Sequence, residues 1–149
     1  MLESAHSASE LMCVNDAALT HGEQAVAIMA LTRVVEKFPA DPNAPIAALS
    51  LARIYQGAKN TELAEKYLAM SRSLSPNGLV AEVALCRQIR AEAKKGRKEE
   101  ASRMAQEYVA KYPDGQCKDD VERILQGEEP APDEQEPEPP PDAKDAPAP

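Results

Sequence analysis

The sequence predicts an all-α chain: three helical hairpins in an array, a short C-terminal capping helix, and an acidic, proline-rich tail. Three coincident registers predict it. Pro39, Pro76 and Pro113 each close a run of helix formers at a spacing of 37 residues, and Ala27, Ala64 and Ala101 each sit twelve positions before those prolines. Gly22 and Gly96 share the third register, with Lys59 between them. A fixed period of this length marks a helical repeat array, in which each unit buries its apolar face only against its neighbours.

Helices are expected at 7–20, 23–38, 43–57, 60–74, 78–95 and 97–112, with a short one at 117–126. The units are then 7–39, 43–76 and 78–113, capped by 117–126, so the repeat domain is 1–126 and the tail 127–149. Within the outer units the first helix must stop at Gly22 or Gly96, because glycine takes the left-handed conformation without steric cost. In the middle unit Gly57 and Asn60 are expected to do this work, Asn60 as the N-cap of the next helix.

The second helices carry one apolar stripe. In the first it runs Ala27, Ala30, Leu31, Val34, Val35, Phe38, and in the third Ala101, Met104, Ala105, Tyr108, Val109, Tyr112. This spacing places all six side chains on one helix face. The middle unit repeats it more weakly as Ala64, Tyr67, Leu68, Ser71 and Ser75, with Leu74 adding apolar cover. Alanine at the head of each stripe lets the two helices approach closely. Ala64→Leu or Ala101→Leu should therefore overpack the hairpin and lower the unfolding free energy by about 1–3 kcal/mol in a urea titration. After each proline the chain leaves the helix. In FPADPNAPIAALS the next helix is expected to start at an Asn43 cap, with Pro45 in the first turn, where no hydrogen bond is lost.

Composition bounds the rest. A chain of 149 residues is expected to form one domain that buries roughly two thirds of its surface. One Phe, four Tyr and no Trp suit hairpins packed through Ala and Leu. The body, 1–126, has 16 Lys and Arg against 17 Asp and Glu, whereas the tail holds eight acids, eight prolines and a single lysine. The tail is expected to be disordered and extended, acting as a solvated spacer, or as a tether or competitor for a basic groove. A near-neutral body beside an acidic tail disfavours nucleic acid. No apolar run is long enough to span a membrane. The start, MLESAHSASELMCVND, has neither a basic opening nor an apolar core and is not a signal peptide, so the chain as written reads as cytoplasmic.

These residues resemble the tetratricopeptide repeat family. The segment LARIYQGAKNTELAEKYLAMSRSLSP (51–76) has Leu51, Ala52, Tyr55, Ala64, Tyr67 and Pro76 at the signature positions. The third unit keeps Gly96, Ala101 and Pro113 but has Gln88 and Glu92 where Leu and Tyr are usual, so its first helix is expected to be shifted or imperfectly packed. The first unit keeps Gly22, Ala27 and Pro39, with Val14 and Ala18 at the corresponding places. The usual repeat is about 34 residues long. The longer period here, with phrases such as VVEKFPADPNAPIAAL and YVAKYPDGQCKDDVERIL, looks like the bacterial envelope subset. Similar repeats occur in the Tol-Pal coordinator, the outer-membrane assembly lipoprotein and sensor regulators of extracytoplasmic sigma factors. The resemblance implies a right-handed solenoid. It also implies a periplasmic protein, if the chain is the C-terminal part of an exported one.

Chemistry is sparse. Cys13, Cys86 and Cys117 have no CxxC spacing, and His6 and His21 are the only histidines, so no metal site is expected. Cys86 shares a register with Met12 and Leu49 and reads as a small packing residue. In an exported protein, a disulfide between Cys86 and Cys117 is the open alternative. No glycine-rich phosphate loop and no Ser/His/Asp or Cys/His arrangement is present, which predicts neither catalysis nor a cofactor. The pairs Glu99/Glu100 and Asp119/Asp120 read as helix-start charges.

What remains is the groove that the resemblance implies, lined by the first helix of each hairpin. Its lining would be Met12 and Asp16 in the first unit, then Ile46, Leu49, Arg53 and Gln56, then Val83, Cys86, Arg90 and Lys94. Arg53 and Arg90 share a register and are expected to stack one repeat apart, where they can take successive acidic or carbonyl groups. The expected function is a non-catalytic scaffold that binds a peptide or helix of a partner protein, in bacterial envelope assembly or signalling. The alternative is a self-associating structural spacer without a peptide ligand.

Overall fold

A computed structural model describes residues 5–131. Seven helices follow one another: α1 Ala8–Thr20, α2 Gln24–Lys37, α3 Asn43–Gly57, α4 Thr61–Leu74, α5 Leu79–Lys94, α6 Lys98–Lys111 and α7 Lys118–Leu125. No strand occurs among the described residues. The chain is all-α, and each helix lies within a residue of its expected ends. The tail expected to be disordered falls, from residue 132, outside the described residues.

The 37-residue period reappears in the backbone. At the turn inside each hairpin a main-chain bond closes the end of the first helix: Glu23 N–H to Ala18 O at 2.8 Å, Asn60 N–H to Tyr55 O at 2.9 Å, and Arg97 N–H to Glu92 O at 3.0 Å. These are the same position three times, and they form the wide loop of a Schellman ending. That ending needs one left-handed residue. Gly22 and Gly96 supply it with φ of 71° and 76°, and in the middle unit Lys59 takes it with φ 58°. Gly57, expected to share this duty, is instead the last helical residue of α3. A lysine there costs about 1 kcal/mol of backbone strain that its glycine counterparts avoid. Asn60 is the N-cap of α4 as expected, its Oδ1 accepting from Leu63 N–H at 3.2 Å. At α3 the capping acceptor is Asp41, whose Oδ1 takes Asn43 N–H at 2.9 Å, and Asn43 is itself the first helical residue. Pro45 stands in the first turn.

Packing follows the chain. Each helix packs on the next, and α1 on α3, α3 on α5 and α5 on α7, an order consistent with a stacked array. The stripes of the second helices face inward: Ala27, Ala64 and Ala101 are all buried, as the overpacking prediction for these positions requires. One apolar cluster joins α1, α2 and α3 around Leu11, Leu31 and Leu51. Another joins α5, α6 and α7 around Ile89, Tyr108 and Val121. Ala52, Leu68 and Ala84 bridge them, with Tyr67 at their edge stacked on Tyr55 at 5.7 Å.

One contact shows how the period carries different chemistry. Equivalent positions 26 residues apart, one on each helix of a hairpin, recur in every unit. In the first unit they are Ala8 and Val34, both buried. In the second, the buried Ser71 hydroxyl donates to Pro45 O at 2.9 Å. In the third, the Tyr108 hydroxyl donates to Glu82 Oε1 at 2.8 Å, with Glu82 only 9% exposed.

The third unit is not shifted by its polar residues. Gln88 accepts from Arg72 of α4 at 2.9 Å, and Arg72 also pairs with Glu107 of α6 at 2.7 Å. Glu92, though buried, meets Lys95 at 3.2 Å and Arg97 at 3.3 Å. With these partners, α5 keeps Ala81, Ala84, Leu85 and Ile89 buried in the register of Ala44, Ala47, Ala48 and Ala52 of α3. At the first unit that register carries Asn15, which is 4% exposed and whose Oδ1 has no hydrogen-bond partner among the described residues.

Candidate functional site

Because α1, α3, α5 and α7 pack side by side, their outward residues share one face. The sequence-predicted lining falls into three groups on it. Met12, Leu49 and Val83 are half-buried, the first two resting on the core clusters, while Ile46 is 42% exposed. Leu79, one turn before Val83 on α5, is 59% exposed and adds an apolar side chain that sequence reasoning did not single out. Asp16, Arg53 and Lys94 are exposed, and Gln56 is half-buried.

Two of the predicted lining residues are committed within the fold. Cys86 is 2% exposed and forms a disulfide with Cys117, so the disulfide alternative holds and the side chain offers a ligand no surface. Arg90 forms an ion pair with Asp120 of α7. Its charge is therefore answered by the capping helix, while Arg53, its equivalent one repeat earlier, is exposed on α3. Asp120, expected as a helix-start charge, is 9% exposed and also accepts from Ala131 N–H at 3.1 Å. The Glu99/Glu100 pair fits the helix-start reading: Glu100 accepts from Arg103 at 2.5 Å, which holds its carboxyl below the usual range.

Side chains also stitch the odd helices together. Arg87 donates to Gln56 Oε1 at 2.9 Å, linking α5 to α3 as Arg90 and Asp120 link α5 to α7. The two links span 31 and 30 residues, nearly the same step. That step is the signal that would have found Arg87 and Asp120, since it is the separation at which neighbouring first helices meet.

Beneath the α5 end of the face lies a polar knot that the sequence did not reveal. Glu82 Oε1 accepts from Tyr108 and from Gln116 N–H at 2.6 Å, and the Tyr108 oxygen accepts from Cys117 N–H at 2.9 Å. Burial first, then the bond to Glu82, push the Tyr108 pKa up to about 12. Gly115 closes the knot. A Cβ there would overlap the Tyr108 hydroxyl and stand 2.7 Å from Glu82 Oε1, so only glycine fits. The knot holds the α6–α7 loop where Cys117 can reach Cys86.

Among the described residues no group of three or more His, Cys, Asp or Glu is placed to hold a metal ion. No helix among them is long and apolar enough to cross a membrane. No model of a known protein family matches the chain, and no curated protein matches it.

Proposed function

We propose that this chain is a non-catalytic interaction scaffold whose odd-helix face receives a peptide segment or helix of another protein. The observation that carries the reading is the face itself. It sets the apolar side chains Ile46, Leu79 and Val83 beside the polar row of Arg53, Gln56 and Arg87, on a backbone of stacked helices. A partner presenting an apolar side and an acidic or carbonyl-rich side would match both halves. The resemblance to tetratricopeptide repeats supports the same use. The Cys86–Cys117 disulfide supports an oxidising compartment, and with it the bacterial-envelope version of the reading.

The test is selection of peptides from a displayed library against the full chain, followed by titration of the best binder. The double variant Ile46→Asp, Leu79→Asp changes only exposed positions and should keep the wild-type melt while weakening binding tenfold or more, about 1.4 kcal/mol. Unchanged affinity would overturn the assignment of the face. Should light scattering instead give a mass that rises with concentration, and should the double variant abolish that rise, the same patch serves self-association and the spacer reading takes its place.

A further inference from the structure

Asn77 and Gly78 lie in the joint between the second and third units, after Leu74 at the end of α4 and before Leu79 at the start of α5. Neither is helical, and Asn77 is exposed. Among the described residues the Asn77 side chain and the Gly78 N–H have no hydrogen-bond partner. Just before them the chain is held, because Lys111 Nζ of α6 donates to Pro76 O at 2.7 Å. Around Gly78 there is room. A Cβ there would meet Ser75 Oγ at 3.4 Å, an ordinary contact, and nothing else.

The other asparagines are held back by the fold. Asn15 lies within α1 and is 4% exposed, its Nδ2 donating to Asp16 Oδ1 at 3.0 Å. Asn43 Nδ2 donates to Asp41 Oδ1 at 2.9 Å, and the N–H of Ala44 after it is bonded to Asp41 O. Asn60 gives its Oδ1 to Leu63 N–H as the α4 cap, and the β-branched Thr61 follows it. Asp114 also precedes a glycine, but the Gly115 N–H donates to Tyr112 O at 3.0 Å. Among the described residues, only at 77–78 does an exposed, unbonded side-chain amide adjoin an unbonded glycine nitrogen.

We propose that Asn77 is a site of spontaneous covalent modification, deamidating through its own backbone to aspartate and isoaspartate. The Gly78 nitrogen gives its proton to hydroxide and bonds to Asn77 Cγ. The Cγ–Nδ2 bond then breaks, ammonia leaves with a proton from solvent, and a five-membered succinimide remains. Glycine permits this because no side chain blocks the approach of its nitrogen. One water opens the ring. Addition at Cγ gives aspartate, whereas addition at the main-chain carbonyl gives isoaspartate, with one more carbon in the main chain. No electrons are exchanged, and water is the co-reactant. Either product adds a negative charge just before the N-cap of α5, where the helix dipole favours it. The isoaspartyl form also lengthens the joint beyond the Lys111 clamp and so displaces the start of α5. None of this depends on the scaffold reading.

The test incubates the full, folded chain at mildly alkaline pH and maps its peptides by mass and retention time. The Asn77 peptide should gain the mass of an amide-to-acid exchange and split into two products, at a rate proportional to hydroxide. The peptides of Asn15, Asn43 and Asn60 should stay unchanged over the same interval. Gly78→Ala should slow the conversion severalfold, because its methyl group hinders the attacking nitrogen. With φ −165° the backbone at 78 is extended and accepts alanine, so this variant should keep the wild-type melt. Asn77→Gln, an exchange at an exposed side chain, should yield no modified peptide, because its ring would need six members. In the isoaspartyl protein, separated by ion exchange, the amide resonances of Leu79, Val80 and Lys111 should move while those of α1 overlay. The urea-unfolded chain is the chemical reference. Conversion of Asn77 there but not in the folded chain overturns the proposal, since the fold then shields the joint. Conversion at an undiminished rate in Gly78→Ala overturns it too, as do equal conversion at the other asparagines and overlaid resonances at Leu79, Val80 and Lys111.

Discussion

Reduction of the Cys86–Cys117 disulfide is expected to lower the unfolding free energy by about 3–4 kcal/mol, because the bond closes a 31-residue loop that the reduced, unfolded chain no longer has to keep closed. For a body of this size that corresponds to a fall in melting temperature on the order of 10–15 °C. Thiol labelling of the native protein should find one reactive group, the exposed Cys13, and labelling after reduction and unfolding should find three. The loss should show first at the C-terminal end. Without the disulfide, α7 is held by Val121 and Ile124 in the core and by Asp120 against Arg90, so its amides should exchange ahead of those in α3 and α4. A melt unmoved by reductant, with all three thiols already reactive, would contradict the arrangement.

Glu82→Ala should cost about 2–3 kcal/mol, because it strands the Tyr108 hydroxyl and the Gln116 N–H beneath the α6–α7 loop. Gly115→Ala should do comparable damage from the opposite side, by pushing a methyl group into the same two oxygens. Glu82→Gln keeps an acceptor in place and should cost less than half as much. Chemical denaturation of the three variants orders them. A Glu82→Ala protein as stable as wild type would show that water replaces the carboxylate without loss. The knot also gives an alkaline signature. An unfolded tyrosine ionises near pH 10, whereas Tyr108 in the fold resists until about 12. Between those values the unfolded state holds fewer protons, so stability falls as pH rises through the window. Tyr108→Phe should lose that part of the decline, whatever its stability at neutral pH.

Much of the fold could be read from the residues because its determinants are local. Gly22 and Gly96 end helices whoever their neighbours are, Asn60 caps wherever a helix comes after it, and the stripe headed by Ala101 faces inward because its spacing matches the helical turn. Lys59 shows the limit of reading residue types one by one. Its side chain gives no hint of a left-handed conformation, yet its register with two glycines does, and the turn geometry imposes it. The candidate face was legible in the same way as far as position goes. Ile46, Arg53 and Lys94 are exposed on the helices where the repeat register put them.

What the charges and polar groups do with one another was not legible. Asp120 looked like a favourable charge at a helix start, and Arg90 looked like one of two stacked cations. Only the approach of α7 to α5 makes them partners. Glu82 and Gly115 belong to no register or motif that the sequence singles out. Neither shows its role until Tyr108 of another helix places its hydroxyl between them. Cys86 stood open between packing and bonding until the loop brought Cys117 to it. By itself the sequence determined the helices, their turns and the face each turns inward, because backbone conformation and amphipathic period depend on residues within one or two turns of each other. The tertiary structure alone decided which buried polar groups pair, because such pairs need two side chains from distant helices to arrive within about 3 Å, and no local pattern encodes that distance.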